Sequence, residues 1–227
     1  MERAQILGNI AEWREKIADA SQKWGGAQIC AVTKTQNADT VNTVLDGGLA
    51  LIGENRVQEL VGKYDSLDPR LEIHLIGSLQ TNKVRYIADK VSMIQSVDRI
   101  ALAEEISKRM APLGRAMNCL IQVNIAREPQ KGGVLLEELP KLLDGCASLQ
   151  GVRVKGLMAI MPLADDPEDV RVYFRQMRAL FDRLRENPRE NIEMETLSMG
   201  MSGDAIVAAQ EGATMVRLGR ALFGARN

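Results

Sequence analysis

The sequence predicts an α/β fold, a single (β/α)8 TIM barrel with one extra helix ahead of it. Three observations predict it. Short apolar stretches alternate with helical patterns from about residue 28 onward, the alternation occurs eight times, and 227 residues are little more than the roughly 200 such a barrel needs. Strands that alternate with helices pair in parallel, because each crossover helix returns the chain to the same end of the sheet. An open doubly wound sheet is the competing arrangement, and it carries a glycine-rich fingerprint after its first strand. Here that position reads Ala31-Val32-Thr33-Lys34-Thr35, with no glycine pair. No Pro/Gly/Ser-rich linker divides the chain, so one domain over 1–227 is expected.

The opening helix is marked by Ile6, Ile10, Trp13, Ile17 and Trp24, whose spacing puts them on one face. Strands are expected at about 28–33, 49–52, 72–76, 91–95, 117–123, 152–158, 193–198 and 214–218, each followed by a helical segment. The clearest helix is 168–186, where Val170, Phe174, Met177, Phe181 and Leu184 form a stripe. Functional residues of this fold gather at the C-terminal ends of the strands. The first four ends present Lys34, then Gly53-Glu54-Asn55-Arg56, then Gly77-Ser78, then Gln95-Ser96. The last four present Asn124, Met158, the run Leu197-Ser198-Met199-Gly200-Met201-Ser202-Gly203, and Arg217 followed by Gly219-Arg220-Ala221.

Composition excludes several functions. With 29 Lys+Arg against 30 Asp+Glu there is no basic field to hold a nucleic acid. No apolar run approaches the roughly 20 residues of a membrane span, and Met1-Glu2-Arg3-Ala4-Gln5 does not begin a secretory signal. Cys30, Cys119 and Cys146 are an odd set without a Cys-x-x-Cys spacing, which fits a reducing cytoplasm; no disulfide framework or metal site is expected. The one histidine, His74, lies inside an apolar strand and reads as a hydrogen-bonded core residue. Cys30 and Cys119 read as small core hydrophobes.

Lys34 carries the sharpest chemical signal. It shares a strand face with Val32 and Cys30, so its amine emerges from a packed interior, where desolvation favours the neutral, nucleophilic form. The plainer alternative is a lysine that snorkels to the rim. The glycine- and serine-rich loops after strands seven and eight are where barrels often hold phosphate, although glycines there also simply make tight turns. The opening of the last helix, Gly219-Arg220-Ala221, adds free N–H groups and a helix dipole. An amine facing a phosphate cradle is the pairing that pyridoxal phosphate requires. Arg217 shares a face with Met215; it would donate to the cofactor's pyridine nitrogen or, equally, pair with a strand-end carboxylate such as Glu54. A guanidinium at that nitrogen disfavours its protonation, so such a site would hold the cofactor firmly yet support limited carbanion chemistry.

Seven ordered motifs then carry a resemblance. They are Ala31 to Thr35, Gly53-Glu54-Asn55-Arg56-Val57-Gln58-Glu59, His74-Leu75-Ile76-Gly77-Ser78-Leu79-Gln80-Thr81-Asn82-Lys83, Gln95-Ser96-Val97-Asp98, Gly156-Leu157-Met158, Leu197 to Ser202, and Val216 to Gly224. The chain strongly resembles the pyridoxal phosphate homeostasis proteins, which share the fold-type III barrel of the alanine racemase N-terminal domain. The resemblance implies that Lys34 holds pyridoxal 5'-phosphate as a Schiff base, that Asn55 lies near the ring and that Arg217 meets the pyridine nitrogen. It places Ser202, Gly219 and Arg220 around the phosphate, with Met201 and Ser198 adjacent. It implies a cytoplasmic monomer with no established catalytic turnover, which buffers or delivers the cofactor to apoenzymes and keeps vitamin B6 and amino-acid pools balanced. Many members have Thr where Arg220 stands and His where Ser78 stands, and the stretch 124–133 drifts from the usual form; a polar surface loop with a charge pair is one reading of it.

Two other functions compete. An amino-acid racemase of the same barrel class needs a second acid/base opposite the lysine, commonly a tyrosine from another domain or subunit. Tyr64, Tyr86 and Tyr173 each sit inside a helical pattern, and no second domain is foreseen. A pure interaction module would leave the ordered strand-end motifs without a purpose.

Overall fold

The computed structural model describes residues 1–224; the last three residues of the expected 1–227 domain lie outside the described residues. Eight parallel strands close into a barrel in sequence order: β1 (Gln28–Val32), β2 (Leu51–Glu54), β3 (Glu72–Leu75), β4 (Met93–Val97), β5 (Met117–Val123), β6 (Val152–Ala159), β7 (Ile192–Met201) and β8 (Met215–Leu218). Closure is made by β8 on β1, with Gln28 opposite Met215 and Cys30 opposite Arg217. The expected fold class is therefore the observed one.

The extra helix, α1 (Arg3–Ser21), buries Ile6, Ile10 and Ile17 as the spacing requires and packs against α2 (Ala38–Asp46), α7 (Ala205–Gln210) and α8 (Arg220–Phe223). Trp24 departs from that face. It lies beyond the helix in a 3-10 turn (Gln22–Trp24), where its indole N–H donates to the Gln210 carbonyl (2.9 Å) and the Arg178 guanidinium stacks 4.6 Å from its ring. The remaining helices are α3 (Val57–Lys63), α4 (Ile100–Met110), α5 (Leu139–Ala147) and α6 (Arg171–Arg185), and α6 buries Phe174, Met177 and Phe181 of the expected stripe.

Three expectations shift. The second strand begins at Leu51, not 49, because the Leu49 N–H is spent closing the end of α2 on the Val44 carbonyl (3.0 Å) past Gly48 at φ +77°. Between β3 and β4 the helical pattern folds as a six-residue 3-10 segment, Thr81–Tyr86, too short to repay the nucleation cost of an α-helix. The helix opened by Arg220 is a single turn, so its dipole adds little to any anion site.

The largest apolar cluster lies between the barrel and its helices, while the barrel interior holds two small ones. Cys30, Leu51, Ile76 and Met215 form one, and Met93, Leu120 and Met158 the other. Burial pushes the Cys30 thiol up to about 12 and the Cys146 thiol up to about 11, and raises Cys119 as well. Since only the thiolate reacts, the folded protein should resist an aromatic disulfide reagent at about pH 8, and all three thiols should react at once on unfolding in guanidinium. Stoichiometric labelling of the folded protein would contradict that burial.

Candidate functional site

A cavity of about 680 Å³ opens at the C-terminal ends of the strands, within the range of small-molecule sites. Lys34, Asn55, Met201, Ser202, Arg217, Gly219 and Arg220 all line it. Ser198 does not. Its side chain is fully buried one layer below, where the hydroxyl accepts from Arg217 (2.7 Å) and donates to Gln95 (2.7 Å). Residues 198 and 217 meet inside the barrel, so the Ser198 that the resemblance puts next to the phosphate residues supports Arg217 from below instead.

Lys34 sits just past β1 in a tight turn whose next residue, Thr35, has φ +67°, a left-handed conformation that costs a β-branched residue about 1–3 kcal/mol. The turn is held from α3. Lys63 Nζ donates to the carbonyls of Thr33 and Gln36 (both 3.0 Å), and the Glu59 carboxylate accepts the Thr35 N–H. Below the turn, the fully buried Glu54 pairs with Lys63 (2.7 Å) and accepts from the Thr33 hydroxyl. Burial raises the Glu54 carboxyl, against the opposing pull of Lys63 and Thr33. Glu54 therefore belongs to Lys63, not to Arg217, so the ion-pair alternative for Arg217 is not the arrangement found.

Arg217 is 4% exposed, and burial brings its guanidinium down to about 10, so it stays charged at neutral pH. Asn55 offers an orphan. Its Oδ1 is buried with no hydrogen-bond partner, on the wall of the cavity that also holds Lys34. A buried acceptor left unmade costs about 1–3 kcal/mol, which a ligand in the cavity would recover. On the far rim, the Ser202 hydroxyl accepts the N–H groups of Gly219 (3.3 Å) and Ala221 (3.1 Å), so two backbone donors converge on one point. With two N–H groups on its oxygen, the Ser202 hydroxyl has its own proton left to donate.

Sequence reasoning missed Asp204 and the apolar rim. Asp204 lines the cavity, accepts the Met201 N–H (2.6 Å) and has its carboxyl raised by burial; its place directly after Ser202-Gly203 was the available signal. Ile160, Pro162, Leu163 and Ala164, from the loop after β6, close one side, and no motif marked them. The drifting stretch 124–133 is a stapled loop. Asn124 Nδ2 donates to the Glu128 carbonyl (2.9 Å), Arg127 pairs with Glu137 (2.8 Å) and Lys131 with Glu128, and Asn124 does not line the cavity. Ser78 is likewise absent from the lining.

The family described as alanine racemase, N-terminal domain, matches residues 8–227. A relative named pyridoxal phosphate homeostasis protein, from Aquifex aeolicus, is 45% identical, covering 93% of this chain and 94% of its own. The chain belongs to the pyridoxal phosphate homeostasis protein family. The solved structure of PipY from Synechococcus elongatus with PLP bound matches at TM-score 0.86 and 34% identity, over 96% of this chain and all of that one. Alanine racemase from Bartonella henselae matches at TM-score 0.75 and only 15% identity, with this chain spanning 60% of it, which speaks to the fold alone.

Proposed function

We propose that this family member holds pyridoxal 5'-phosphate on Lys34 and acts in vitamin B6 and amino-acid homeostasis by buffering or delivering it. The single observation that carries the reading is the meeting of seven strand-end residues, expected from sequence, around one cavity. When bound, this cofactor supplies an aldehyde that condenses with a primary amine and a dianionic tail. Lys34 provides the amine from a turn fixed by Lys63 and Glu59. The Asn55 amide carries both a donor and an acceptor and so can meet the ring hydroxyl whatever its protonation. Arg217 donates toward the ring nitrogen, and the Ser202 hydroxyl, which accepts the Gly219 and Ala221 N–H groups and so turns its own proton outward, meets the phosphate with Gly219, Met201 and Arg220 around it. The PLP-bound PipY structure supports this assignment.

The described residues place no tyrosine on the cavity wall, so the residue that a racemase commonly uses as its second acid/base is not found there. Among the described helices none is long and apolar enough to cross a membrane. We take the holder to be a cytoplasmic monomer whose recipients are apoenzymes that need this cofactor, the whole chain acting as one unit. Mixing the apoprotein with the cofactor should produce a near-visible absorption band that borohydride bleaches into a stable mass increment on Lys34. A colourless mixture, or amino-acid racemisation at ordinary enzyme rates, would count against the reading.

A further inference from the structure

Arg217 is buried with no carboxylate within ion-pair distance among the described residues; Asp204, on the same cavity, attracts it only from farther off, an arrangement that is costly unless something nearer answers the charge. Its Nη1 donates to both the carbonyl (2.8 Å) and the hydroxyl (2.7 Å) of Ser198, and its Nη2 donates to the Ala159 carbonyl (2.8 Å). From there a chain of hydrogen bonds crosses the barrel. The Ser198 hydroxyl donates to Gln95 Oε1 (2.7 Å). Gln95 Nε2 donates to His74 Nδ1 (2.9 Å) and turns its other proton to the Met215 sulfur (3.2 Å). His74 Nε2 then donates to Glu72 Oε1 (3.1 Å), at the opposite, N-terminal end of β3.

Every donor in this chain points the same way, from guanidinium to carboxylate. The reverse assignment fails on its own terms. With the Gln95 amide turned over, its NH2 would donate to the Ser198 hydroxyl, whose own proton would lose its acceptor, and its oxygen would demand the proton on His74 Nδ1. A neutral imidazole would then present a bare Nε2 lone pair to the Glu72 carboxylate. The bond from His74 also holds the Glu72 carboxyl below its usual range, as the charged end of such a chain requires.

We propose that Glu72, His74, Gln95 and Ser198 form a positioning relay that fixes the pose of Arg217 and answers its charge through aligned hydrogen bonds instead of a touching carboxylate. Aligned bonds polarise one another, so the guanidinium is held by the whole row and not by Ser198 alone. The relay rests on the proposed cofactor site only in that Arg217 there faces the ring nitrogen. His74, Gln95 and Ser198 touch no ligand; they act through Arg217.

NMR of the apoprotein labelled with nitrogen-15 at arginine and at its one histidine tests the relay without cofactor. We expect a single His74 tautomer, protonated at Nε2 and bare at Nδ1, and a slowly exchanging Arg217 side-chain N–H signal. Gln95→Met keeps the volume but breaks the row and should speed that exchange roughly fivefold, the effect of one lost hydrogen bond. Glu72→Gln, at a half-exposed position that does not endanger the fold, should shift it in the same direction, and both variants should displace the absorption maximum of the loaded protein. A His74 ring protonated at Nδ1, or Arg217 exchange unchanged in both variants, overturns the relay. Loss of cofactor colour in a protein whose relay signals are intact would instead overturn the cofactor reading, so the two failures are told apart.

Discussion

Lys34→Ala is expected to abolish the borohydride-stable adduct completely while leaving the fold unchanged. The asymmetry follows from where the side chain sits. The backbone of the turn is fixed by Lys63 on the Thr33 and Gln36 carbonyls and by Glu59 on the Thr35 N–H, and none of these bonds uses the Lys34 side chain. The side chain itself is only partly buried and lines an open cavity, so truncation leaves no sealed void. The main-chain bonds that hold the turn should therefore persist in the variant. Intact-mass measurement after borohydride reads the adduct, and thermal melting followed by circular dichroism reads the fold. A reduced adduct that persists in the variant and maps to another lysine would remove Lys34 from its role.

Gly77→Ala should damage fold and site together, because the atoms that obstruct a side chain there belong to the backbone of Asn55. A Cβ at position 77 would lie 2.1 Å from the Asn55 carbonyl oxygen and 2.8 Å from its carbonyl carbon, and backbone in a barrel strand end cannot swing aside as a flexible side chain can. The Gly77 carbonyl is meanwhile tied to the Ser96 hydroxyl (2.7 Å), so the strand end is held from the other side. Overpacking of this kind costs about 1–3 kcal/mol and occasionally more; the upper part of that range is expected. The relief available is displacement of residue 55, which carries the orphaned amide, so cofactor affinity should fall along with the urea midpoint. Gly62→Ala is the control. Nothing lies within 4 Å of its Cβ position inside α3, and a helical Gly→Ala change there should stabilise by about 0.5–1 kcal/mol without altering cofactor binding. Equal stability of Gly77→Ala and the parent protein would refute the close approach of the two strand ends.

The pattern of what sequence could and could not supply follows the range of each interaction. Strand existence, order and parallel pairing were legible because alternating apolar and helical runs are local signals, and each strand begins within two residues of its expected start. Lys34, Asn55, Arg217 and the two last loops were legible because strand ends are where this architecture exposes chemistry. The failures share one cause. Trp24 had the right spacing for the α1 face but the helix stops at Ser21, and Leu49 looked like strand until the backbone of α2 claimed its N–H. Ser198 belonged to a motif that reaches the mouth only at Met201 and beyond.

By itself the sequence determined an eight-unit barrel, the amine at residue 34, and the loops that would face it, since periodicity and strand-end position are properties of neighbouring residues. Only the tertiary structure decided who partners whom across the barrel. It gave Glu54 to Lys63, left Arg217 to Ser198 and the Ala159 carbonyl, and joined His74 to Gln95 from the next strand. Those choices depend on barrel closure and stagger, which bring Gln95 to Ser198 and Met215, 103 and 120 residues away, and no local pattern encodes which of several buried polar groups will meet.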